Sequence, residues 1–454
     1  MASKMLNLKK NSTMKNINKL LMIVVLVFAG TACGEKFLEL QPQQSISNDA
    51  FLKTFDDFQS AITGGYDQMQ NSDWYGRYML LVPDVMGEDV KQNASANRAK
   101  EWAEYNGSEV DFIPEEFWAE IYEGINITNS IINASFTPPT AVEADYNDII
   151  GQAHAMRAIA YFDLVRLFGQ HYTFTAGATH PGVPIVLSFD VTSKPARNTV
   201  AEVYNQIVTD LTTAIPLLYS YSDTQDAGTI SREAAQAILS RVYLYMEDYT
   251  NAITQANNVI NSGNFTLVDS AAYPTMFLDG KTSEAIFEIV FLQADNPGSD
   301  HLGGMYKESG YGDYLPAQDL LGMFDAGDVR GTMFMTDDNL SGIYGSLRVN
   351  KYPSEGSAIA TDNLPVIRYA EVLLIRAEAQ AKLGGNDALA QADVDAVRQR
   401  AWPAAPAVTS TGAALVDEIL IERRKELCFE GHRVFDMARN KQSLVRVDCT
   451  APAG

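Results

Sequence analysis

Apolar residues recur every three to four positions along most of the chain, and strict strand-like alternation of apolar and polar residues is scarce. A period near 3.6 is typical of amphipathic helices that bury one face. The pattern predicts helices over 51–69, 115–134, 143–168, 199–218, 232–247, 250–261, 368–383, 388–400 and 413–430. We therefore expect an all-α protein.

Residues that typically begin or end helices stand at several of these boundaries. Thr199 and Ser231 can cap the helices that follow them, because their hydroxyl groups accept hydrogen bonds from exposed backbone N–H groups. Gly384 and Gly385 separate two predicted helices, and Gly431 ends the last long one. The boundaries therefore support the helices that the apolar period predicts.

Two long regions without a clear period interrupt the helices, over 71–112 and 265–365. Both are rich in Gly, Asp, Asn and Tyr. Loops of this length are usually functional in compact proteins. We therefore expect binding residues there.

Two consecutive predicted helices carry the spacing of large, small and aromatic residues that is typical of a tetratricopeptide unit. These residues are Leu239, Ser240 and Tyr243, followed by Tyr249, Ala252 and Ala256. Any antiparallel helix pair needs small residues at its crossing, because they let the two backbones approach closely. Repeated stacking of such hairpins predicts a superhelical scaffold whose loops gather on one face.

The first 32 residues have the features of an export signal. Lys15 and Lys19 precede an apolar stretch over 20–29, and small residues stand directly before Cys33. The apolar stretch over 20–32 is shorter than the roughly 20 residues needed to span a bilayer. We expect a signal peptide over 1–32 and lipid attachment at Cys33, whose two or three acyl chains suffice for stable anchoring.

Residues 33–50 then form a lipid-anchored tether, with Pro42 and several Gln residues. Translation could begin at Met1 or at Met14, because a compact signal follows Met14 directly. The two starts leave the predicted cleavage point unchanged.

Charge excludes some partners. The chain of 454 residues has 34 basic and 57 acidic residues, and removal of the signal leaves 29 basic residues and a net charge of −28. Such a surface repels phosphate backbones and anionic lipid head groups, so we expect no nucleic-acid partner. With 46% hydrophobic residues, the chain can bury one large core or two to three smaller ones.

The remaining cysteines are too few for a disulfide scaffold. Cys428 lies in a predicted helix and is expected to be a small core residue, and Cys449 lies near the C terminus. A disulfide between them in an oxidising compartment stays open at this point.

No motif indicates catalysis or a cofactor. The five histidines, at positions 154, 171, 180, 301 and 432, lack the spacing of a zinc site. His154 lies on an apolar helix and is expected to be a hydrogen-bonded core residue. Asp325 and Asp328 near Arg330 could bind calcium, but an acidic chain contains many such pairs by chance. We predict no catalytic residue, metal or cofactor.

Charged residues near the C terminus are interpreted as architecture. Pairs spaced three apart can meet on one helical face. These pairs are Arg423 with Glu426, Glu430 with Arg433, and Asp436 with Arg439. Glu422 and Glu426 could alternatively form a glycosidase pair, but catalytic carboxylates normally come from different segments, and neighbouring Arg residues would keep both ionised.

Aromatic residues in the two long regions are the candidates for ligand binding. A sugar ring stacks its C–H groups on an aromatic face, while its hydroxyls need polar partners nearby. The first region supplies Trp74, Tyr75, Arg77, Tyr78, Asn93, Trp102 and Tyr105. The second supplies Tyr306, Lys307, Tyr311, Asp313 and Tyr314. Trp102 is the strongest candidate, whereas Tyr75 and Tyr78 can equally pack inward, and Trp118 and Tyr122 are assigned to packing.

Several segments, taken in order, resemble the SusD/RagB family of outer-membrane nutrient-binding lipoproteins of Bacteroidetes. They are Phe37-Leu38, Gly87-Glu88-Asp89, Trp118 with Tyr122 and Asn126, Gly182-Val183-Pro184, the run from Arg197 to Tyr204 continuing to Ala214, Arg368 to Glu371, Ile421 to Leu427, Glu430 to Arg433, and Asp436 to Arg439. Each segment is short, and the resemblance to this family rests on their occurring together in this order. Together they span nearly the whole chain after Cys33.

The resemblance implies a single SusD-like helical domain over 51–454 with tetratricopeptide-like units. It places the helical scaffold at about 51–70, 115–262 and 366–440 and the loop-rich ligand regions at 71–112 and 265–365. It implies binding of glycans or peptides at the cell exterior, from loops of these two regions, and partnership with a TonB-dependent SusC-like transporter. The alternatives are a surface enzyme that acts on glycans and an envelope scaffold without a transport role.

Overall fold

A computed structural model describes residues 52–93, 96–107, 112–190, 192–294, 296–307, 310–336, 347–353 and 361–447. The described residues from Thr54 onward form one compact unit. The predicted signal peptide, Cys33, the tether and Cys449 lie outside the described residues.

Helices form the framework. The α-helices are α1 (Phe55–Met69), α2 (Tyr78–Val85), α3 (Lys100–Glu104), α4 (Phe112–Asn133), α5 (Glu143–Phe168), α6 (Val200–Ala214), α7 (Tyr221–Thr224), α8 (Arg232–Tyr245), α9 (Tyr249–Ser262), α10 (Met276–Asp279), α11 (Leu302–Tyr306), α12 (Gln318–Leu321), α13 (Tyr369–Leu383), α14 (Asp387–Ala401), α15 (Gly412–Leu427) and α16 (Arg433–Arg439). All the predicted long helices are present, which confirms the all-α expectation. The last one ends at Leu427, three residues before the predicted end.

Short strands pair within and between the two long regions. The strands are β1 (Val90–Gln92), β2 (Ala285–Ile289), β3 (Tyr314–Pro316), β4 (Phe334–Thr336), β5 (Leu347–Val349) and β6 (Leu364–Arg368). They form three antiparallel pairs, β1 with β3, β2 with β6 and β4 with β5. The regions predicted as loops therefore contain small, regular elements.

Local sequence explains where the helices begin. Thr199 and Glu202 form a capping box, in which the Thr199 hydroxyl accepts a hydrogen bond from the Glu202 N–H and the Glu202 carboxylate accepts one from the Thr199 N–H. Ser231 caps α8 by accepting a hydrogen bond from the Ala234 N–H at 3.2 Å. Both caps satisfy backbone donors that a helix start leaves unpaired.

Helix hairpins stack along the chain. Helix α5 packs between α4 and α6, α8 packs on α9, and α13 contacts α9, α14 and α15. At the crossing of α8 and α9, Ser240 and Ala252 are fully buried, as the tetratricopeptide spacing predicts. Tyr243 and Tyr249 pack beside them against α13.

Buried polar residues join neighbouring helices. Between α5 and α6, Arg157 donates two hydrogen bonds to Asp210, at 2.6 and 3.0 Å, and His154 lies 2.7 Å from the same carboxylate. Burial raises the pKa of Asp210, but these hydrogen bonds outweigh it and hold the pKa below its ordinary value. His154 is therefore hydrogen-bonded, as expected.

The carboxylates of Glu422 and Glu426 lie inside a buried ion network. Both are at most 1% exposed, and Arg330 lies 2.7 Å from Glu422 and 3.0 Å from Glu426. Burial raises the pKa of Glu426, but Arg400, Arg368 and Arg330 together lower it well below its ordinary value. The two carboxylates are thus enclosed by guanidinium groups, which fits the architectural interpretation.

One of the three predicted C-terminal pairs is confirmed, between Asp436 and Arg439 at 2.6 Å. The Arg423–Glu426 pairing is wrong, because Arg423 reaches across to Asp436 at 3.2 Å instead. Arg423 lies on α15 and Asp436 on α16, so these two residues meet through tertiary packing and not on one helical face.

The predicted pairing of Glu430 with Arg433 is also wrong. Glu430 binds Arg368 at 2.8 Å and Lys351 at 2.5 Å, whereas Arg433 binds Glu88 at 2.7 Å. The turn after α15 separates their side chains. Each partner comes from a distant segment that the helical period does not reveal.

Cys428 is a free, buried thiol directly after α15, as expected for a small core residue. Burial raises the pKa of this thiol. In the described part of the chain, no helix is both long and apolar enough to cross a membrane.

Candidate ligand-binding site

The two long regions meet at a two-stranded sheet. Strand β1 of the first region pairs with β3 of the second, with Gln92 opposite Tyr314. Asn93 extends the pairing, because its N–H donates to the Asp313 carbonyl at 2.8 Å and its side-chain amide donates to the Gly312 carbonyl at 3.0 Å. The two aromatic clusters predicted from sequence therefore belong to one part of the molecule.

Helix α3 presents Trp102 at this junction. The residues that flank the helix, Ala99 and Tyr105, both have left-handed backbone conformations, with φ of 51° and 53°. Such conformations cost about 1 to 3 kcal/mol for a residue other than glycine, so surrounding contacts must hold them. One such contact joins the Tyr105 hydroxyl to the Met86 carbonyl, although the Tyr105 side chain stays half exposed.

A cavity of about 370 Å³ opens beside α3. Its lining combines aromatic, apolar and polar side chains. These are Tyr78, Asn97, Arg98, Glu101, Trp102, Ile113 and Pro114. Trp102 is half-buried, so part of its indole ring remains open to a ligand.

Arg98 connects the cavity to the second region. Its guanidinium lies 3.2 Å from Asp313 and packs over the ring of Tyr311, with the guanidinium carbon 3.0 Å from the ring centroid. Its backbone carbonyl accepts a hydrogen bond from the Tyr314 hydroxyl at 2.6 Å. These contacts fix Arg98 in place before any ligand arrives.

Tyr311 continues this set of contacts. Its hydroxyl donates to Asp300 at 3.0 Å, and the same carboxylate oxygen accepts a hydrogen bond from Arg77 at 2.6 Å. The Arg77 guanidinium in turn lies 4.1 Å from the ring centroid of Tyr78, which lines the cavity. The predicted residues Arg77 and Tyr311 thus pack against two residues of the cavity lining, Tyr78 and Arg98.

Four predicted ligand contacts are buried and belong to the core. Trp74 is fully buried, and its indole N–H donates to Asp163 at 2.9 Å. Tyr75, Tyr306 and Tyr314 are at most 4% exposed. Burial leaves no ring face for a ligand, so these four residues leave the candidate set.

Sequence reasoning missed the polar side chains beside Trp102. Arg98 and Glu101 lie four and one residues before it, and Asp300 lies in the second region. The signal was present, because charged residues flank Trp102 in the sequence. Only the pairing of β1 with β3 shows that Asp300 and Tyr311 belong to the same site.

The arrangement can hold a sugar ring. The indole of Trp102 offers an apolar face, while Asn97, Arg98 and Glu101 offer hydrogen-bond donors and acceptors for hydroxyl groups. Of the described lining residues, Glu101 alone carries a carboxyl group, whereas glycoside hydrolysis typically uses two. The geometry therefore suits binding more than cleavage.

Metal binding has no support in the described segments, where no group of three or more His, Cys, Asp or Glu residues could hold an ion. The carboxylate of Asp328, considered above for calcium, binds Arg330 at 2.7 Å and Lys425 at 3.0 Å. Burial raises the pKa of Asp328, but these two cations outweigh it and hold the pKa below its ordinary value.

Comparison with known proteins identifies relatives over the whole fold. A family model described as the SusD family matches residues 335–448, and one described as starch-binding associating with outer membrane matches residues 36–244. SusD-like protein P2 of Formosa agariphila is 30% identical, and the match covers 92% of this chain and 90% of that protein.

Solved structures agree. A putative sugar binding protein from Bacteroides vulgatus is 33% identical with a TM-score of 0.79, over 88% of this chain and 90% of that one. A SusD superfamily protein from Bacteroides thetaiotaomicron is 30% identical with a TM-score of 0.78, over 87% and 90%. On identity, coverage and fold together, the chain belongs to the SusD/RagB family.

Proposed function

We propose that this protein captures oligosaccharide or polysaccharide at the cell surface and delivers it to a TonB-dependent SusC-like transporter of the outer membrane. The observation that carries the proposal is the cavity beside α3, where the half-buried ring of Trp102 faces the same space as Asn97, Arg98 and Glu101. An aromatic platform with polar neighbours is the combination that a sugar ring requires.

Membership of the family supports a carbohydrate ligand. One matching family model is described as starch-binding, and a solved relative is described as a putative sugar binding protein. Peptide is the second ligand class to test. The Arg98 charge is already compensated by Asp313, and Glu101 adds a negative charge, so a neutral ligand fits the cavity better than an acidic one.

We propose binding without catalysis. The described cavity lining offers the single carboxyl group of Glu101, and the pair Glu422 and Glu426 is enclosed by arginines. Incubation of the purified protein with the polysaccharide that it binds should release no new reducing ends. Steady release that scales with protein concentration would favour the enzyme alternative.

A binding screen across neutral polysaccharides, uronate-containing polysaccharides and peptides tests the ligand class. Trp102→Ala should weaken the detected glycan interaction about tenfold or more, which corresponds to about 1.4 kcal/mol or more. Phe189→Ala is the matched control, because Phe189 is also aromatic, is 61% exposed and does not line the cavity. An equal affinity for Trp102→Ala and wild type would contradict the proposed site.

The anchor is the second part of the proposal. The export features before Cys33 and the family's association with the outer membrane support lipid attachment at that residue. Cys33→Ala should release the protein from the membrane fraction and leave glycan affinity unchanged, because Cys33 precedes the folded unit. Retention of the variant in the outer membrane would argue against this attachment point.

A further inference from the structure

A second cavity, of about 220 Å³, lies between the C-terminal end of α5 and helix α16. Its aromatic walls are Tyr172, Tyr204, Tyr245 and Phe435, and its polar residues include Gln170 and His171. It shares no lining residue with the cavity beside α3. Its size suits a ligand below the drug-sized range, which occupies pockets of about 300 to 1,000 Å³.

Two polar atoms at this cavity lack hydrogen-bond partners within the described chain. The Tyr245 hydroxyl is one, on a side chain that is 94% buried, and the Nε2 atom of His171 is the other. An unpaired buried polar group is costly, and its presence beside an open cavity points to a partner that the chain does not itself supply. A hydroxyl-bearing ligand would supply one.

Charge in this cavity is balanced. Arg166 lines the cavity and lies 2.6 Å from Asp163, and Arg439 lies 2.6 Å from Asp436. Burial, with Lys441 and His180 nearby, lowers the pKa of His171, so its ring is neutral at pH 7. Each of these charged groups has a partner of opposite charge, so the cavity does not favour a charged ligand.

Aromatic rings form much of the wall of this cavity. Tyr172 and Tyr204 meet edge to face with centroids 4.9 Å apart, and the Arg166 guanidinium lies 4.6 Å from the ring centroid of Phe435. Of these rings, the half-buried Tyr172 offers an apolar surface to the C–H groups of a small ligand, and the buried rings pack behind it. The lining thus combines apolar faces with neutral hydrogen-bonding atoms.

We propose that this cavity is a second binding site, for a single neutral sugar unit or a similar small polyol, held against the half-buried ring of Tyr172 and hydrogen-bonded to Tyr245 and His171. The site is independent of Trp102. It binds one unit and not an extended chain, because its volume is smaller than that of the cavity beside α3.

Two substitutions test the site without disturbing the core. Tyr245→Phe removes the unpaired hydroxyl and keeps the ring, so the unfolding temperature should stay the same or rise while affinity falls at least fivefold. Ala438→Phe places a ring at an exposed position of the cavity rim and should abolish binding. Ala119→Phe is the matched control, since Ala119 is also exposed on a helix and lines neither cavity.

The measurement is saturation-transfer NMR with glucose, galactose, mannose and xylose, and with glucuronate and glucosamine as charged comparators. The protein carries Trp102→Ala, so that the NMR signal reports sugar binding at the second cavity. We expect binding of at least one neutral sugar in preference to the charged ones, loss of it with Ala438→Phe, and no change with Ala119→Phe. Absence of sugar binding in the Trp102→Ala protein, or binding that survives Ala438→Phe, overturns the proposal. Failure of the Trp102 site leaves this readout intact, because the two cavities share no residue.

Discussion

Two tryptophans of the same long region have opposite surroundings. Trp74 is fully buried and donates to Asp163 on α5, whereas Trp102 is half-buried at the rim of a cavity. Their immediate sequence neighbourhoods are similar, with tyrosine and charged residues close by. The hydrogen-bond partner of Trp74 lies 89 positions away, so the sequence alone named both as candidates, with Trp102 the stronger, but could not show that Trp74 is buried.

The Asp163 carboxylate shows why Trp74 is structural. Burial raises its pKa, even though Arg166, Trp74 and Tyr75 all stabilise its charged form. Loss of any of these donors leaves the buried carboxylate with fewer hydrogen bonds. Trp74 therefore contributes to the stability of the fold through a hydrogen bond as well as through its ring.

Trp74→Phe should lower the free energy of unfolding by about 1 to 3 kcal/mol, because it leaves a buried hydrogen-bonding group of Asp163 with one donor fewer. Denaturant unfolding measures this change, and glycan affinity should stay at the wild-type value. If Trp74→Phe were as stable as wild type but bound glycan more weakly, Trp74 would be a ligand contact and not a core residue.

At the level of elements, the apolar period predicted the long helices well, because each buries one face along its length. Helix α2 escaped prediction for the opposite reason, since all of its residues are buried and no period remains. The strands of the loop regions are three to five residues long, too short to show alternation. Ion-pair partners were the weakest prediction, because Arg423 and Glu430 bind residues on other elements.

Helices α8 and α13 are joined by the buried pair of Arg241 and Glu371, at 2.5 Å. Burial raises the pKa of Glu371, but Arg241, with His432 and Arg423, outweighs it and lowers the pKa from 4.5 to about 2. A carboxylate whose pKa is lower in the folded state stabilises the fold above its unfolded pKa. That stabilisation is lost as the pH falls through the folded value.

Glu371→Gln should therefore lower the free energy of unfolding by about 3 to 5 kcal/mol at pH 7, because it leaves Arg241 buried without its counter-charge. The difference from wild type should shrink as the pH falls from about 4.5 to about 2. Chemical unfolding at several pH values checks both. Glu115→Gln, at an exposed position on α4, is the control and should change little. If Glu371→Gln lowered the free energy of unfolding by the same amount at every pH, the lowered pKa of Glu371 would be contradicted.

On the scale of the whole molecule, the helical scaffold was predictable and the assembly of the site was not. The period and the tetratricopeptide spacing rest on neighbours in sequence, so they are visible without a structure. The cavity beside α3 depends on the pairing of β1 with β3, whose residues are more than 200 positions apart. Only the fold brings Arg98 to Asp313 and Tyr311.

The scaffold and the site are thus different kinds of feature. Stacked helix hairpins, joined by buried ion pairs, hold the two long regions together at β1 and β3. The exposed part of Trp102 then has a fixed position relative to Arg98 and Glu101, which is what a preorganised binding surface needs. The central claim is that this junction is where the glycan binds.

The most direct measurement is a crystal structure of the protein with the oligosaccharide that the binding screen identifies. We expect a sugar ring stacked on the indole of Trp102, with ring hydroxyls within hydrogen-bond distance of Arg98, Glu101 or Asn97. An oligosaccharide bound elsewhere, with the cavity beside α3 empty and Trp102 without contact, would contradict the account.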